Sequence, residues 1–167
     1  CRAGATPVST TTGLAQIRSL LEAGVAAYDG AQGSVEKRDV LDAYAAFLRE
    51  LVPVSTHRRL TVAVDAANGM AGLTVPAVLG DMDIRPLYFE LDGTFPNHEA
   101  NPLDPKNLVD LQQFTPQQGA DIGLAFDGDA DRCFVVDERG EPVSPSAITA
   151  LIAARTLAQH PGATIIH

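Results

Sequence analysis

The densest chemistry in this 167-residue sequence is one short run, Asp127-Gly128-Asp129-Ala130-Asp131-Arg132, directly after the apolar stretch Ile122-Gly-Leu-Ala-Phe126. Carboxylates at i, i+2 and i+4 converge only if the backbone curls tightly, and Gly128 and Ala130 leave room for the curl. Without a cation, three carboxylates so close repel, and some must take up a proton at neutral pH. A divalent cation removes that conflict, and an all-oxygen donor set selects Mg²⁺ or Ca²⁺ over softer metals. Asp127, Asp129 and Asp131 are therefore the candidate ligands, with Mg²⁺ the expected cofactor. Arg132 either balances their charge or reaches a phosphate held on the metal.

Three other readings of the run compete. A solvated acidic turn is the plainest, and an arbitrary pair of aspartates would favour it. An EF-hand loop would place Glu138 at its twelfth position, but Arg132 stands where that loop needs glycine and the flanks read as strands. A phosphotransferase of the haloacid-dehalogenase type would use Asp127 as nucleophile and Asp129 as acid/base, although Asp131 replaces the expected threonine. Outside the run, His98 lies in a Gly/Pro/Asn-rich loop, where Gly93 and Pro96 shape the chain and Asn97 and His98 bond its backbone; an acid/base role for His98 is the alternative. Asn68-Gly69 reads as a tight turn more than an anion site. Cys133 reads as a small core residue. His57, His160 and His167 carry no role.

These side chains need a scaffold. Leu14, Ile17, Leu20, Leu21, Val25 and Tyr28 recur at helical spacing, with Thr11 and Thr12 available as caps. A second amphipathic helix is expected from about Val35 to Val52, with Val40, Leu41, Tyr44, Phe47, Leu48 and Leu51 on one face and Pro53 ending it. From Leu60 strands and helices alternate. Strands are expected at Leu60–Val64, Ile84–Phe89, Ile122–Phe126, Cys133–Val136 and Ala163–Ile166. Helices are expected at Gly69 to about Leu79, Pro105 to Gln118 and Pro145 to Ala158, with a hairpin turn at Glu138–Glu141. The fold class is α/β: a three-layer α/β/α domain with a mostly parallel mixed sheet, preceded by a helical segment.

Composition bounds the partners. Lys and Arg number 12 against 21 Asp and Glu, a net charge of −9, which argues against nucleic acid or an anionic membrane as partner. Two cysteines without a CxxC pattern point to a reducing, cytoplasmic setting. No signal peptide opens the sequence and no apolar run approaches the roughly 18–20 residues of a membrane span. The first residue is Cys1, and both ends have the look of cuts in a longer chain.

Phe126-Asp-Gly-Asp-Ala-Asp-Arg132 resembles the metal-binding loop of the α-D-phosphohexomutases, the phosphomannomutase/phosphoglucomutase family. Val64-Asp-Ala-Ala-Asn-Gly69 resembles the opening strand-to-helix turn of that family's second domain. Leu91-Asp-Gly-Thr-Phe-Pro-Asn-His98, running on to Asn101-Pro102, resembles its D-G-x-F-P-x-H…P segment, and Gly4-Ala-Thr-Pro-Val8 with Gly13–Ile17 the tail of its first domain. The bacterial branch is the nearer likeness. The resemblance implies a four-domain enzyme interconverting hexose 6-phosphate and hexose 1-phosphate, of mannose and/or glucose, through a phosphoserine and a bisphosphorylated intermediate. It makes Asp127, Asp129 and Asp131 ligands of Mg²⁺ and Arg132 the electrostatic partner of the phosphoserine. Residues 1–57 become the end of domain 1 and a linker, 58–160 domain 2, and 161–167 the first strand of domain 3. The remaining domains are implied partners, beside the hexose phosphate. The Ser-His-[Asn/Asp]-Pro nucleophile motif and the Gly-Glu-x-Ser-Gly-His sugar motif occur nowhere here, so this chain alone is expected to be inactive.

Overall fold

The computed structural model describes residues 1–52 and 58–166, so Pro53, the Ser55-Thr56-His57 linker and His167 lie outside the described residues. The chain forms two compact units, Cys1–Arg38 and Asp39–His167. In the first, short 3-10 turns at Ala3–Ala5 and Thr10–Thr12 precede helix α1, Leu14–Ala23. Thr12 belongs to a 3-10 turn, where its Oγ1 accepts the Ser9 N–H at 2.8 Å, and Gly13 holds the N-cap position of α1. The helix stops well before Tyr28, because Gly24 turns to φ 87°.

The second unit begins with α2, Leu41–Leu51, and continues as β1 (Thr61–Asp65), α3 (Ala71–Val78), β2 (Asp83–Leu87), α4 (Val109–Gln117), β3 (Ile122–Phe126), β4 (Cys133–Asp137), β5 (Pro142–Val143) and α5 (Pro145–Gln159). Helix α2 starts six residues later than its periodicity suggests, and Tyr44, Phe47 and Leu51 of its expected face are exposed. Its contact side is set by Ala45, which is buried, and Arg49 donates to the Ala77 carbonyl at 2.8 Å, capping the end of α3. Ala163–Ile166 forms no strand. A strand needs a neighbour to pair with, and the described sheet offers this segment none.

The sheet runs β2-β1-β3-β4-β5, with β2, β1 and β3 parallel to one another, β4 antiparallel to β3 and β5 antiparallel to β4. Its edge strands β2 and β5 each hold a proline, Pro86 and Pro142. Both faces of β1 are covered, so Thr61-Val-Ala-Val-Asp65 reads as a nearly unbroken apolar run. Val62 and Val64 pack towards Ala71 and Val75 of α3, with Leu124 and Phe126 against them. Ala63, Ala125 and Val136 face the other way, onto Leu108, Leu111 and Ala120. This is the expected α/β/α arrangement.

Close approach of backbones sets the spacing between α3 and the sheet. A Cβ on Gly72 would run into the Phe89 carbonyl. Because backbone cannot swing aside as a side chain can, Gly72→Ala is expected to lower unfolding free energy by about 1–3 kcal/mol in a urea melt.

Candidate functional site

Parallel strands β1, β2 and β3 end at one edge of the sheet, and β1 lies between the other two. The chain passes from β1 to β2 on one side and then to β3 on the other, so a switch point falls between β1 and β3. Open α/β sheets hold their ligands in the crevice at that place. The loops after β1 and β3 flank it here, carrying Asp65 and Asp127 respectively.

The loop after β3 curls as its small residues allow. Ala130 takes φ 62°, and its N–H donates to the Asp127 carbonyl at 3.2 Å. The Gly128 carbonyl accepts the Met70 N–H at 3.0 Å, and a Cβ on Gly69 would lie only 2.7 Å from that carbonyl. The Phe95 ring and Ala100 lie against Gly128 from outside. Pinned this way, Asp127, Asp129 and Asp131 each bring one oxygen within 4.8 Å of the others. Asp127 is buried, while Asp129 and Asp131 are exposed. A buried carboxylate beneath two exposed ones is a donor set of hard oxygens, which fits Mg²⁺.

Arg132 folds back on this cluster. Its backbone N–H donates to Asp127 Oδ1 at 3.0 Å and its Nε–H to Asp127 Oδ2 at 2.7 Å. Asp131 Oδ1 lies 3.5 Å from the same nitrogen. Burial alone would push the Asp127 carboxyl up, but the N–H groups of Arg132 hold it below the usual carboxylate range. Asp131 moves the opposite way, raised first by its hydrogen bond with Asp127 and then by the charges of Asp129 and Asp127. The repulsion expected of three adjacent carboxylates thus falls on the exposed member.

Two neighbouring features depart from expectation. Cys133 is exposed at the start of β4, where the strand has just left the loop, so it is not a core residue. Asn97 and His98 were expected to bond the backbone of their loop; His98 does so at the Glu99 carbonyl and also bonds Asp65, each at 2.9 Å, whereas Asn97 donates to Asn68 Oδ1 at 2.8 Å. Asn68-Gly69 is the tight turn anticipated, with Asn68 at φ 58° and the Gly69 N–H on the Ala66 carbonyl. Asp65 and Asn101 were read in the sequence only as members of family segments, without a role of their own. The available signal was Asp65 itself, a carboxylate closing an otherwise apolar strand.

A layered α/β/α sheet with an acidic cluster at its switch point defines an open-sheet α/β protein. Residues 42–140 match the profile of the phosphoglucomutase/phosphomannomutase α/β/α domain II. The chain belongs to the phosphoglucomutase/phosphomannomutase family. It is 44% identical over 138 residues to a phosphomannomutase/phosphoglucomutase of Pseudomonas putida, covering 81% of this chain and 29% of that protein. It is 39% identical over 175 residues to a phosphomannomutase of Salmonella montevideo, covering 99% of this chain and 38% of that one. A crystal structure of a phosphoglucomutase/phosphomannomutase family protein from Burkholderia thailandensis superposes with a TM-score of 0.74 at 33% identity, over 88% of this chain and 31% of that one. The chain thus spans about a third of the length of these relatives. Among the described residues no helix is long and apolar enough to cross a membrane.

Proposed function

We propose that this chain is the metal-holding part of a phosphohexomutase, an isomerase that interconverts hexose 6-phosphate and hexose 1-phosphate through a phosphoserine and a bisphosphorylated intermediate. The observation that carries the reading is the convergence of Asp127, Asp129 and Asp131 at the end of β3. Those three residues would hold Mg²⁺, which when bound supplies positive charge beside a transferring phosphoryl group. Arg132 keeps Asp127 ionised and oriented through its Nε–H, and the half-exposed guanidinium would offer its outer N–H groups to a phosphate. Met70 and Phe95 fix the loop, so the carboxylates need little rearrangement on binding.

The resemblance gives residues 1–57 as the end of a first domain with its linker, 58–160 as the metal-holding domain, and 161–167 as the opening of a third. The contact of α2 with α3 and the family match from residue 42 draw α2 into the metal-holding domain. Hexose phosphate and the other mutase domains are the partners of the complete enzyme, which works in the cytoplasm. The chain by itself turns over no hexose phosphate, because it holds no Ser-His-[Asn/Asp]-Pro motif.

Calorimetric titration tests the site. Mg²⁺ is expected to bind with one saturable event, and Asp129→Ala to remove it while leaving the melting temperature in metal-free buffer unchanged. Equal heats from both proteins would overturn the reading. Robust phosphatase or mutase turnover by the chain alone, lost in Asp127→Asn, would instead support the aspartyl-nucleophile mechanism.

A further inference from the structure

Beside the acidic cluster runs a second loop, residues 88–104, of which the proposed chemistry uses only the Phe95 ring. It is a strained segment. Tyr88 and Phe95 take φ 56° and 51°, while Ala67 and Asn68 opposite them take 45° and 58°. Non-glycine residues in that region cost on the order of 1 kcal/mol or more each and persist only where their surroundings over-determine them. What holds this loop is a set of side-chain ties across the edge of the sheet. Asn97 donates to Asn68 Oδ1, and Asn68 in turn donates to the Glu90 carbonyl at 2.8 Å.

The innermost tie is His98. Its Nε2 lies 2.9 Å from Asp65 Oδ2 and its Nδ1 2.9 Å from the Glu99 carbonyl oxygen. A carbonyl can only accept. Asp65 is buried, its Oδ1 accepts the Ala67 N–H at 2.8 Å, and as a carboxylate in an ion pair it presents Oδ2 to His98 as an acceptor. Both ring nitrogens must then donate, and the ring is an imidazolium paired with the Asp65 carboxylate.

From there the loop reaches the acidic cluster at two points. The Phe95 ring packs on Gly128, and Asn101 Oδ1 accepts from Arg132 Nη1 at 3.5 Å. We propose that His98 is a positioning residue: clamped between Asp65 and Glu99 as an imidazolium, it fixes the 88–104 loop so that Phe95 and Asn101 brace the Asp127–Arg132 turn. The part of this inference that concerns metal affinity rests on the metal-holding role proposed above; the clamp itself does not.

The charged and titratable groups facing His98 are Asp65 from β1, Glu99 through its carbonyl, Tyr88 edge-on at 5.5 Å, and Asp110 of α4, which accepts the Tyr88 hydroxyl at 2.8 Å. The Asp65 hydrogen bond raises the His98 pKa to about 8 against the opposing effect of burial, with Glu99 and Asp110 adding to the rise. Since the folded value lies above the ordinary one of 6.5, the clamp is fully present below pH about 6.5 and is lost as pH rises through about 8.

The test is nuclear magnetic resonance on the whole chain, with ¹⁵N-labelled histidine reporting the ring and backbone amides reporting Gly128, Ala130 and Arg132. Those amides are expected to shift with pH along the His98 titration curve in the wild type, and to lose that inflection in His98→Gln. Mg²⁺ affinity, measured in parallel, is expected to fall as pH passes 8 in the wild type. In His98→Gln it should be about tenfold weaker and flat over the same range. If His98 titrates and the three amides stay still, the clamp is wrong. The wild-type titration decides this even if the variant fails to fold. If Mg²⁺ binds at no pH, the metal-holding role fails, while the amide shifts still judge the clamp.

Discussion

Asp127→Asn is expected to cut Mg²⁺ affinity about 100-fold or more while leaving the chain folded. Replacing a group that merely orients a metal ligand already costs 10–100-fold, and Asp127 is both a candidate ligand and the anchor of the cluster. The substitution keeps the shape and retains one acceptor for the Arg132 backbone N–H. It also turns an N–H towards the guanidinium donor or forces the amide to flip, so the 2.7 Å contact with Arg132 Nε is weakened. A hydrogen bond to a charged partner is worth about 1.5–3 kcal/mol, which sets the upper bound on lost stability. Titration calorimetry and urea melts on the same preparation separate the two effects. A melt shifted far beyond that bound with metal affinity intact would mean that Asp127 serves the fold alone.

The largest loss of stability is expected from Leu111→Ala, about 2–5 kcal/mol in the urea-melt unfolding free energy. Leu111 on α4 is fully buried among Ala63, Leu108, Ala120, Ala125 and Val136, with Phe114 and Phe134 packed around that cluster. Three of its neighbours in that layer are alanines, which have no side chain to move into the vacated space. Gly123 adds to the constraint, since the position a Cβ would occupy there is already within 3.3 Å of Leu111. The cavity therefore stays open. A loss under about 1 kcal/mol would show that α4 can settle onto the sheet.

What the sequence disclosed, and what it withheld, follows from how far apart the determining residues lie. The strand Ile122–Phe126 and the turn after it were legible because apolar run, small residues and carboxylates sit within eleven positions, and each constrains the next. The antiparallel hairpin could be anticipated for the same reason: β4 and β5 are joined by a turn ending in Gly140, which takes φ 88°. Periodicity misled in the leading segment. Tyr28 and Val35 keep a helical rhythm, yet Gly24 ends α1 and residues 35–40 have no helical backbone. Cys133 has an apolar neighbourhood in the sequence but occupies the exposed start of its strand. His98 was singled out while its partner was not, because Asp65 lies 33 residues away on another element and local pattern holds no record of that meeting.

The prolines on both outer strands bear on how this sheet behaves in a crowded solution. A sheet rim normally presents a row of free N–H and C=O groups, on which a strand from another molecule can dock and a fibril can grow. Pro86 removes a donor on one rim, and the opposite rim is only two residues long and begins with Pro142. Neither side offers a template for lateral growth. The molecule can therefore carry buried, β-branched, aggregation-prone sequence such as Val62–Val64 in its centre without lending its edges to cross-β assembly.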